Sequence, residues 1–442
     1  MKNKITLLSV AIAAVCILSS CSALQYSRPD DLKSNGLYGT MAQESESETL
    51  ANLSWKEIYT DPCLQALITE ALAKNIDYRT QEWVVKQAET GKTTGQLAFL
   101  PSIGVSPQGA YSPNTGWSYQ IPGTLTWELD ILRKSRSLQM ANANLSSQQD
   151  MLQAVQSRLV ANVASMYYQL LALDKMLEVA QSGEEVLGEM VYALESMMEA
   201  GIGDAVAVAQ FKSNAREYEV KKYTLEANIR QVEIELCRVL GREPEEISRT
   251  VLGEYPVPEN LSVGLSTELL DNRPDVRAAE RKLEYYFHNI GYARSNFYPK
   301  ITLSAEAMFN GTFVSQFIGG LVQPIFNQYK TIAALKKAKS DYEIAKLSYQ
   351  QSLINAGSEV VLALDKCNGA KKKRQARELQ IEECKKAVEF SRTQMFNGES
   401  TYLDVLTAQN TYFEKQQGLI QEMQDELLGA VELYLALGGG SR

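Results

Sequence analysis

Between Pro324 and Gly398 the sequence sets apolar or small side chains at Tyr342, Ala345, Tyr349, Leu353, Ala356, Val360, Ala363, Cys367 and Ala370. Steps of three and four residues trace one stripe of a helix that packs on other helices. No further proline interrupts the run before Asn397-Gly398-Glu399-Ser400. A helix over 325–397 would be a rod of about 110 Å. A compact globular domain has no use for such a rod, so the sequence predicts an element that spans a distance.

A second rod is written earlier in the chain. Leu152, Val155, Leu159, Val163, Met166, Leu170, Leu173, Leu177, Ala180, Leu187, Val191, Leu194 and Met198 keep a heptad-like phase, which only Glu184 interrupts. The two rods belong to a duplication. Asn75-Ile76-Asp77 matches Arg273-Pro274-Asp275, and Phe99-Leu100-Pro101 matches Phe297-Tyr298-Pro299, both at an offset of 198. Gly201 matches Gly398 and Leu240-Gly241 matches Leu437-Gly438 at 197, while Leu129-Asp130-Ile131-Leu132 matches Gln323-Pro324-Ile325-Phe326 at 194. Landmarks this regular divide the ordered chain into repeats at 53–249 and 250–442.

Each repeat has one order of elements. A helix comes first (62–98, then 266–296, the latter opening on Ser266-Thr267-Glu268), followed by a β pair at 102–112 and 117–128, then at 301–309 and 313–323. Asn310-Gly311 between alternating segments is a hairpin signal, whereas Pro107, Gly109 and Pro122 weaken the first pair. The long helix follows at 130–199 or 325–397. A returning helix at 205–240 or 401–436 ends at Gly241 or at Gly438-Gly439-Gly440. The fold class is therefore mainly α with a small β part: duplicated long antiparallel coiled-coil helices plus four β-strands. Four strands cannot close a barrel, for which about eight are needed, and an open sheet leaves bare edges. Three chains sharing twelve strands would remove them.

The amino terminus reads as an address. Lys2 and Lys4 precede the apolar run Ile5–Leu18, a secretory leader over 1–20. Leu18-Ser19-Ser20-Cys21 has the form of a lipoprotein cleavage box, which makes Cys21 the acylated first residue of a polar tether over 21–52. No later stretch is long and apolar enough for a transmembrane helix.

Composition narrows the chemistry. Forty-four Lys and Arg against 53 Asp and Glu give a net charge of −9, which argues against nucleic acid as a partner. The one histidine, His288, leaves no multi-histidine metal site and little room for a Ser-His-Asp triad, so neither an enzyme nor a cofactor is expected. Cys63, Cys237, Cys367 and Cys384 show no CxxC spacing and are expected as free thiols. Gly91-Lys92-Thr93 lacks the upstream glycine of a phosphate loop, Lys86 standing there instead. Lys371-Lys372-Lys373-Arg374 spreads around a helix as a solvated face.

The chain resembles the outer-membrane factors of tripartite efflux systems, the TolC-like channels, and specifically their lipoprotein branch. The resemblance rests on Leu18-Ser19-Ser20-Cys21, Trp127-Glu128-Leu129-Asp130, the run Leu269–Glu280, Gln323-Pro324-Ile325-Phe326, Tyr402–Gln409 and Leu433–Gly440. It implies a homotrimer with a twelve-stranded outer-membrane β-barrel and a periplasmic α-helical barrel, anchored to outer-membrane lipid. It implies docking to a periplasmic adaptor (membrane fusion) protein and an inner-membrane pump of the resistance-nodulation-division type. The helix-turn-helix tips at Gly201 and Gly398 would form a closing periplasmic end. By the resemblance Asp404 lines its constriction, Thr407 replaces a second family acid, and Ala207 stands at the matching place in the first repeat, with Asp204 nearby. Arg392, Glu399 and Tyr402 are candidates for contacts that hold the gate shut. Cargo stays open between small toxic compounds, metal cations and secreted proteins. A coiled-coil surface lipoprotein is the non-channel alternative, and it leaves the two β hairpins without a purpose.

Overall fold

The computed structural model describes residues 25–29, 54–201, 203–254, 273–309, 313–322 and 329–439. The leader with Cys21, most of the 21–52 tether, Ser266-Thr267-Glu268, the Asn310-Gly311 turn, Gln323-Pro324-Ile325-Phe326 and Gly440 lie outside the described residues. Among those described, the helices are α1 (Trp55–Ile58), α2 (Pro62–Lys74), α3 (Ile76–Leu97), α4 (Ile131–Glu199), α5 (Ala205–Leu240), α6 (Pro274–Ser295), α7 (Lys330–Phe396) and α8 (Tyr402–Ala436). The strands are β1 (Ser102–Val105), β2 (Gln108–Ser112), β3 (Gly116–Leu129), β4 (Lys300–Phe309) and β5 (Phe313–Val322).

Two local departures from the expected elements have clear causes. The expected helix over 62–98 is broken into α2 and α3 by Asn75, whose backbone leaves the helical region (φ −58°, ψ 129°). Its side chain accepts from the Tyr78 amide at 2.9 Å and so caps the new helix. The strand expected over 102–112 is interrupted at Ser106-Pro107, because proline brings no amide to a ladder. β1 and β2 nevertheless share one partner, β3, and Ser106 N–H donates to the Pro122 carbonyl across the gap. The β part thus holds four strand positions, one of them in two pieces.

The chain divides into two compact units, and both draw on each sequence repeat: 1–33, 99–140 and 284–342 form one, and 34–98, 141–283 and 343–442 the other. The first unit contains a single antiparallel sheet in the order β1-β3-β4-β5, with β2 also on β3. β3 from the first repeat pairs with β4 from the second over nine residues, from Ile121 opposite Phe309 to Leu129 opposite Ile301. His288 lies in this unit, buried on α6 with Nε2 3.8 Å from Glu284 and its ring edge-on to Phe287.

The second unit buries the coiled-coil stripes. On α7, Ala345, Tyr349, Leu353, Ala356, Val360, Ala363 and Ala370 are all buried, with Cys367 half-buried. On α4, Leu159, Val163, Leu170, Ala180, Leu187 and Leu194 are buried, while Met198 at the end of the predicted stripe is exposed. Glu184, the odd residue in that stripe, pairs with Lys222 of α5 at 2.9 Å. Asp61 caps α2 and accepts from Tyr167 Oη at 2.7 Å and Thr250 Oγ1 at 2.5 Å. Burial, then the Asp61 carboxylate, pushes the Tyr167 phenol well above its ordinary range. Cys63, Cys237, Cys367 and Cys384 are free thiols. Lys371, Lys372 and Lys373 are exposed, and Arg374 reaches Glu426 at 3.2 Å.

The duplication repeats one closing contact with different chemistry. Asn75 Nδ2 donates to the Val239 carbonyl at 2.8 Å, near the end of α5. Arg273, the matching residue, donates from Nη1 to the Ala436 carbonyl at 2.9 Å, at the end of α8. A last-turn carbonyl has no partner within its own helix, so the first helix of each repeat satisfies one for the last. Arg273 is 5% exposed and also pairs with Asp275 (2.8 Å) and Glu359 (2.6 Å). Truncating it strands a buried carbonyl and two carboxylates. Arg273→Ala should destabilise the protein by about 2–3 kcal/mol, less than a fully buried pair because Glu359 is half exposed. Thermal unfolding followed by circular dichroism checks this; an unchanged midpoint would remove Arg273 from the closing contact.

Candidate functional site

The sheet separates its side chains by polarity. Along β3, Trp117, Tyr119, Ile121, Leu125, Trp127 and Leu129 alternate with Ser118, Gln120, Thr124, Thr126 and Glu128. A period of two puts the first set on one face and the second on the other. The register carries the division across the neighbours. Leu125 lies opposite Ile103 and Ala305, and Ala305 opposite Phe317. Thr124 lies opposite Gly104 and Glu306, and Glu306 opposite Gln316. Ile318, opposite Ser304, is an apolar exception on the polar face. The apolar face is not covered within the chain: Ile103, Trp117, Tyr119 and Phe317 are 65–79% exposed. A face this apolar beside a polar one is the pattern of a strand with lipid on one side and water on the other. β1 with β2, and β5, are left as open edges.

The second part of the site is the pair of turns that join the long helices to their return. Both turn on a glycine in the left-handed region, Gly201 at φ +78° and Gly398 at φ +76°. A side chain there would meet no neighbouring atom, so the backbone conformation alone calls for glycine. At the second turn Gly398 N–H donates to the Met395 carbonyl at 3.1 Å, and Glu399 N–H to Gln394 at 2.9 Å. Those two bonds satisfy the end of α7 in a Schellman arrangement.

The start of each returning helix is capped differently. Asp204 is the N-cap of α5, its Oδ1 accepting from the Val206 amide at 2.8 Å. The matching residue of the second repeat is Thr401, which forms a capping box with Asp404. Asp404 Oδ2 accepts from Thr401 N–H (2.9 Å), Thr401 Oγ1 (2.6 Å) and Ser400 Oγ (3.0 Å). These bonds, those from Thr401 first, hold the Asp404 carboxyl below the usual range, so it is ionised at neutral pH. The family resemblance leads one to expect Asp404 in a pore; the geometry shows it in a local, capping task. Thr401 and Ser400 were not singled out from sequence, although Thr401 three residues before Asp404 is a capping-box spacing. Arg392, Glu399 and Tyr402 are at the same turn, Arg392 and Glu399 exposed and Tyr402 half-buried. Among the described residues Arg392 pairs with neither Glu399 nor any other acid.

The observed cap and the expected pore role of Asp404 can be told apart. Thr401→Ala removes the cap and keeps the charge, whereas Asp404→Asn removes the charge and keeps an acceptor. Thr401→Ala should loosen the start of α8 by about 1 kcal/mol, read as faster amide exchange at 402–405. A pore role for Asp404 requires Asp404→Asn, and not Thr401→Ala, to lower cation preference in single-channel recordings. The acid limb has a definite sign. A carboxyl held below its unfolded value stabilises fully above pH about 4 and stops doing so as pH falls through the folded value. Conductance changes between pH 5 and 8 should therefore persist in Asp404→Asn.

Comparison with known proteins adds to this geometry. The outer membrane efflux protein family model matches residues 67–242 and again 265–439. "Solvent efflux pump outer membrane protein SrpC" of Pseudomonas putida is 27% identical over 470 aligned positions, covering 98% of both chains. "Probable outer membrane lipoprotein SilC" of Salmonella typhimurium is 26% identical with 99% of both covered. The structure of the open state of the Neisseria gonorrhoeae MtrE outer membrane channel superposes with a TM-score of 0.85 at 24% identity, covering 95% of this chain and 98% of that one. The fold is that of the TolC-like outer membrane channels.

Proposed function

The chain belongs to the outer membrane efflux protein family, and from that premise we propose that it is the exit duct of a tripartite efflux system, built as a homotrimer. The observation that carries the reading is the sheet, apolar on one face and polar on the other, with both edges open. In hydrocarbon an unpaired backbone group costs several kcal/mol, so such an edge must be paired. Four strand positions per chain in three chains make twelve, enough to close a barrel. Exposed apolar residues on α7, among them Ile344, Leu347, Leu362, Leu379 and Phe390, support the same assembly. Left bare in water they would be an association liability; against neighbouring copies they bury.

In this reading the polar face of the sheet lines a water-filled passage and the turns at Gly201 and Gly398 stand at its periplasmic end. Asp404 and Asp204 bring negative charge there, and Arg392, Glu399 and Tyr402 supply contacts between copies that hold the end closed. A periplasmic adaptor engages the helices, and an inner-membrane pump of the resistance-nodulation-division type supplies the energy. The duct itself performs no chemistry. Acyl chains on Cys21 add a lipid anchor, in line with the lipoprotein name of the Salmonella relative. The solvent-efflux name of the Pseudomonas relative favours small toxic compounds as cargo.

Reconstitution in a planar bilayer tests the duct. A trimer by native mass and discrete conductance steps are expected; a monomer without conductance would leave only a coiled-coil spacer. Cys21→Ser should abolish incorporation of a labelled fatty acid while the sheet still inserts. Label retained in Cys21→Ser would remove Cys21 as the anchor.

A further inference from the structure

Charge is distributed unevenly between the ends of the sheet. The whole chain carries −9, yet the described residues of the sheet-bearing unit hold ten Lys and Arg against five Asp and Glu. From Phe99 to Trp127 there is no charged residue at all. The hairpin end of β2–β3 is instead aromatic, with Tyr111 and Trp117 rings 5.5 Å apart and Trp117 stacked on Tyr119 at 6.1 Å. The cations collect at the opposite end, where strands hand over to helices. Arg133, Lys134 and Arg136 open α4, Arg294 closes α6, and Lys300 begins β4. Lys330, Lys336, Lys337 and Lys339 occupy the first turns of α7.

Few of these cations are neutralised locally. Lys337 pairs with Asp341 at 2.7 Å. Among the described residues Arg294, Lys300, Lys330, Lys336 and Lys339 pair with no acid, and all but Lys300 are exposed. Exposed aromatic rings share this end, namely Phe297, Tyr298 and Tyr329, with Lys336 Nζ 5.5 Å from the Tyr329 ring. From Trp117 to Trp127 the strand is about 33 Å long, which at the tilt of a barrel strand rises by about 25 Å, the height of a barrel's apolar band. The basic end therefore falls at one interface and the neutral aromatic end at the other. Aromatic rings with flanking cations, apolar bodies and charged heads, suit the headgroup layer.

We propose that this basic collar, centred on Lys330, Lys336 and Lys339, binds the anionic phosphodiester headgroups of phospholipids in the leaflet on the helix side of the membrane. Each cation near an anionic surface adds attraction of its own, so several together discriminate an anionic from a zwitterionic headgroup. Lys336 and Lys339 lie three residues apart on one helical face, and Lys330 and Lys337 seven apart on nearly the opposite one, so the cations ring the start of α7. The collar also fixes the direction of the sheet in the bilayer, because its other end offers nothing to an anionic headgroup. This inference rests on the sheet being a membrane wall.

Native mass spectrometry of the full-length protein in neutral detergent, offered phosphatidylglycerol or phosphatidylcholine, tests it. The wild type should retain phosphatidylglycerol about tenfold better. K330Q/K336Q/K339Q should lose that preference, K330R/K336R/K339R should keep it, and K371Q/K372Q/K373Q on the same helix should be unaffected. Glutamine matches lysine in helix propensity, so the substitutions leave α7 intact, and unchanged circular dichroism verifies this. Equal retention of both lipids by the wild type, or an equal loss in the Lys371–Lys373 variant, overturns the proposal. Displacement of the lipid by inorganic phosphate at matched ionic strength also overturns it, since the site would then bind a free anion. Retention of neither lipid by a protein soluble without detergent would strike the membrane-wall reading itself.

Discussion

The ladder between β3 and β4 is the constraint on which the rest depends. It joins the two halves of a duplicated chain by antiparallel backbone bonds from Ile121–Phe309 to Leu129–Ile301. Because β3 runs on into α4 and β4 follows α6 at the same end of the sheet, the register also fixes which residues of α4 and α6 meet. Arg133 of α4 donates to Tyr292 Oη of α6 at 2.6 Å, and its guanidinium lies 4.9 Å from that ring. A shift of one residue would turn Trp127 and Leu125 to the polar face and Thr124 and Thr126 to the apolar one. The polarity division that makes the sheet usable in a membrane thus enforces the register that unites the repeats.

Patterns that extend over many residues were legible in the sequence. The stripe from Ala345 to Ala370 is buried as its spacing predicts, because a helix repeats the same geometry at every turn. The turns at Gly201 and Gly398 were legible because few residues other than glycine accept their backbone. What escaped depends on a single side chain choosing among partners. Asn75 is polar enough for a helix surface, and only its bonds to the Tyr78 amide and the Val239 carbonyl show why the helix breaks there. Asp404 offers the same carboxylate to a pore or to a cap, and Thr401 three residues earlier decides the local bond. The contacts proposed for Arg392 and Glu399 join separate copies, which one chain's sequence does not encode as spacing.

The matched closing contacts show how a duplicated architecture tolerates drift. Asn75 and Arg273 do one job, supplying a donor to a last-turn carbonyl. Arginine reaches farther and brings a charge, and the second repeat answers it with Asp275 and Glu359. The caps diverge in the opposite sense. Asp204 acts alone, and its counterpart divides the task between Thr401 and Asp404. What persists is the satisfied backbone group, not the residue that satisfies it.

Parity follows from the sheet order. Neighbours in β1-β3-β4-β5 run antiparallel, so the two edges, β1 with β2 on one side and β5 on the other, point in opposite directions. In the proposed trimer the β5 edge of one copy would therefore meet the β1–β2 edge of the next antiparallel, without turning either copy over. Such a contact would be heterologous, and repetition about an axis would close it into a ring. An odd number of strand positions would force one parallel seam at every subunit boundary. With four, each added copy keeps the alternation intact, and the Ser106-Pro107 break leaves the β1–β2 edge in two pieces opposite an unbroken β5 edge.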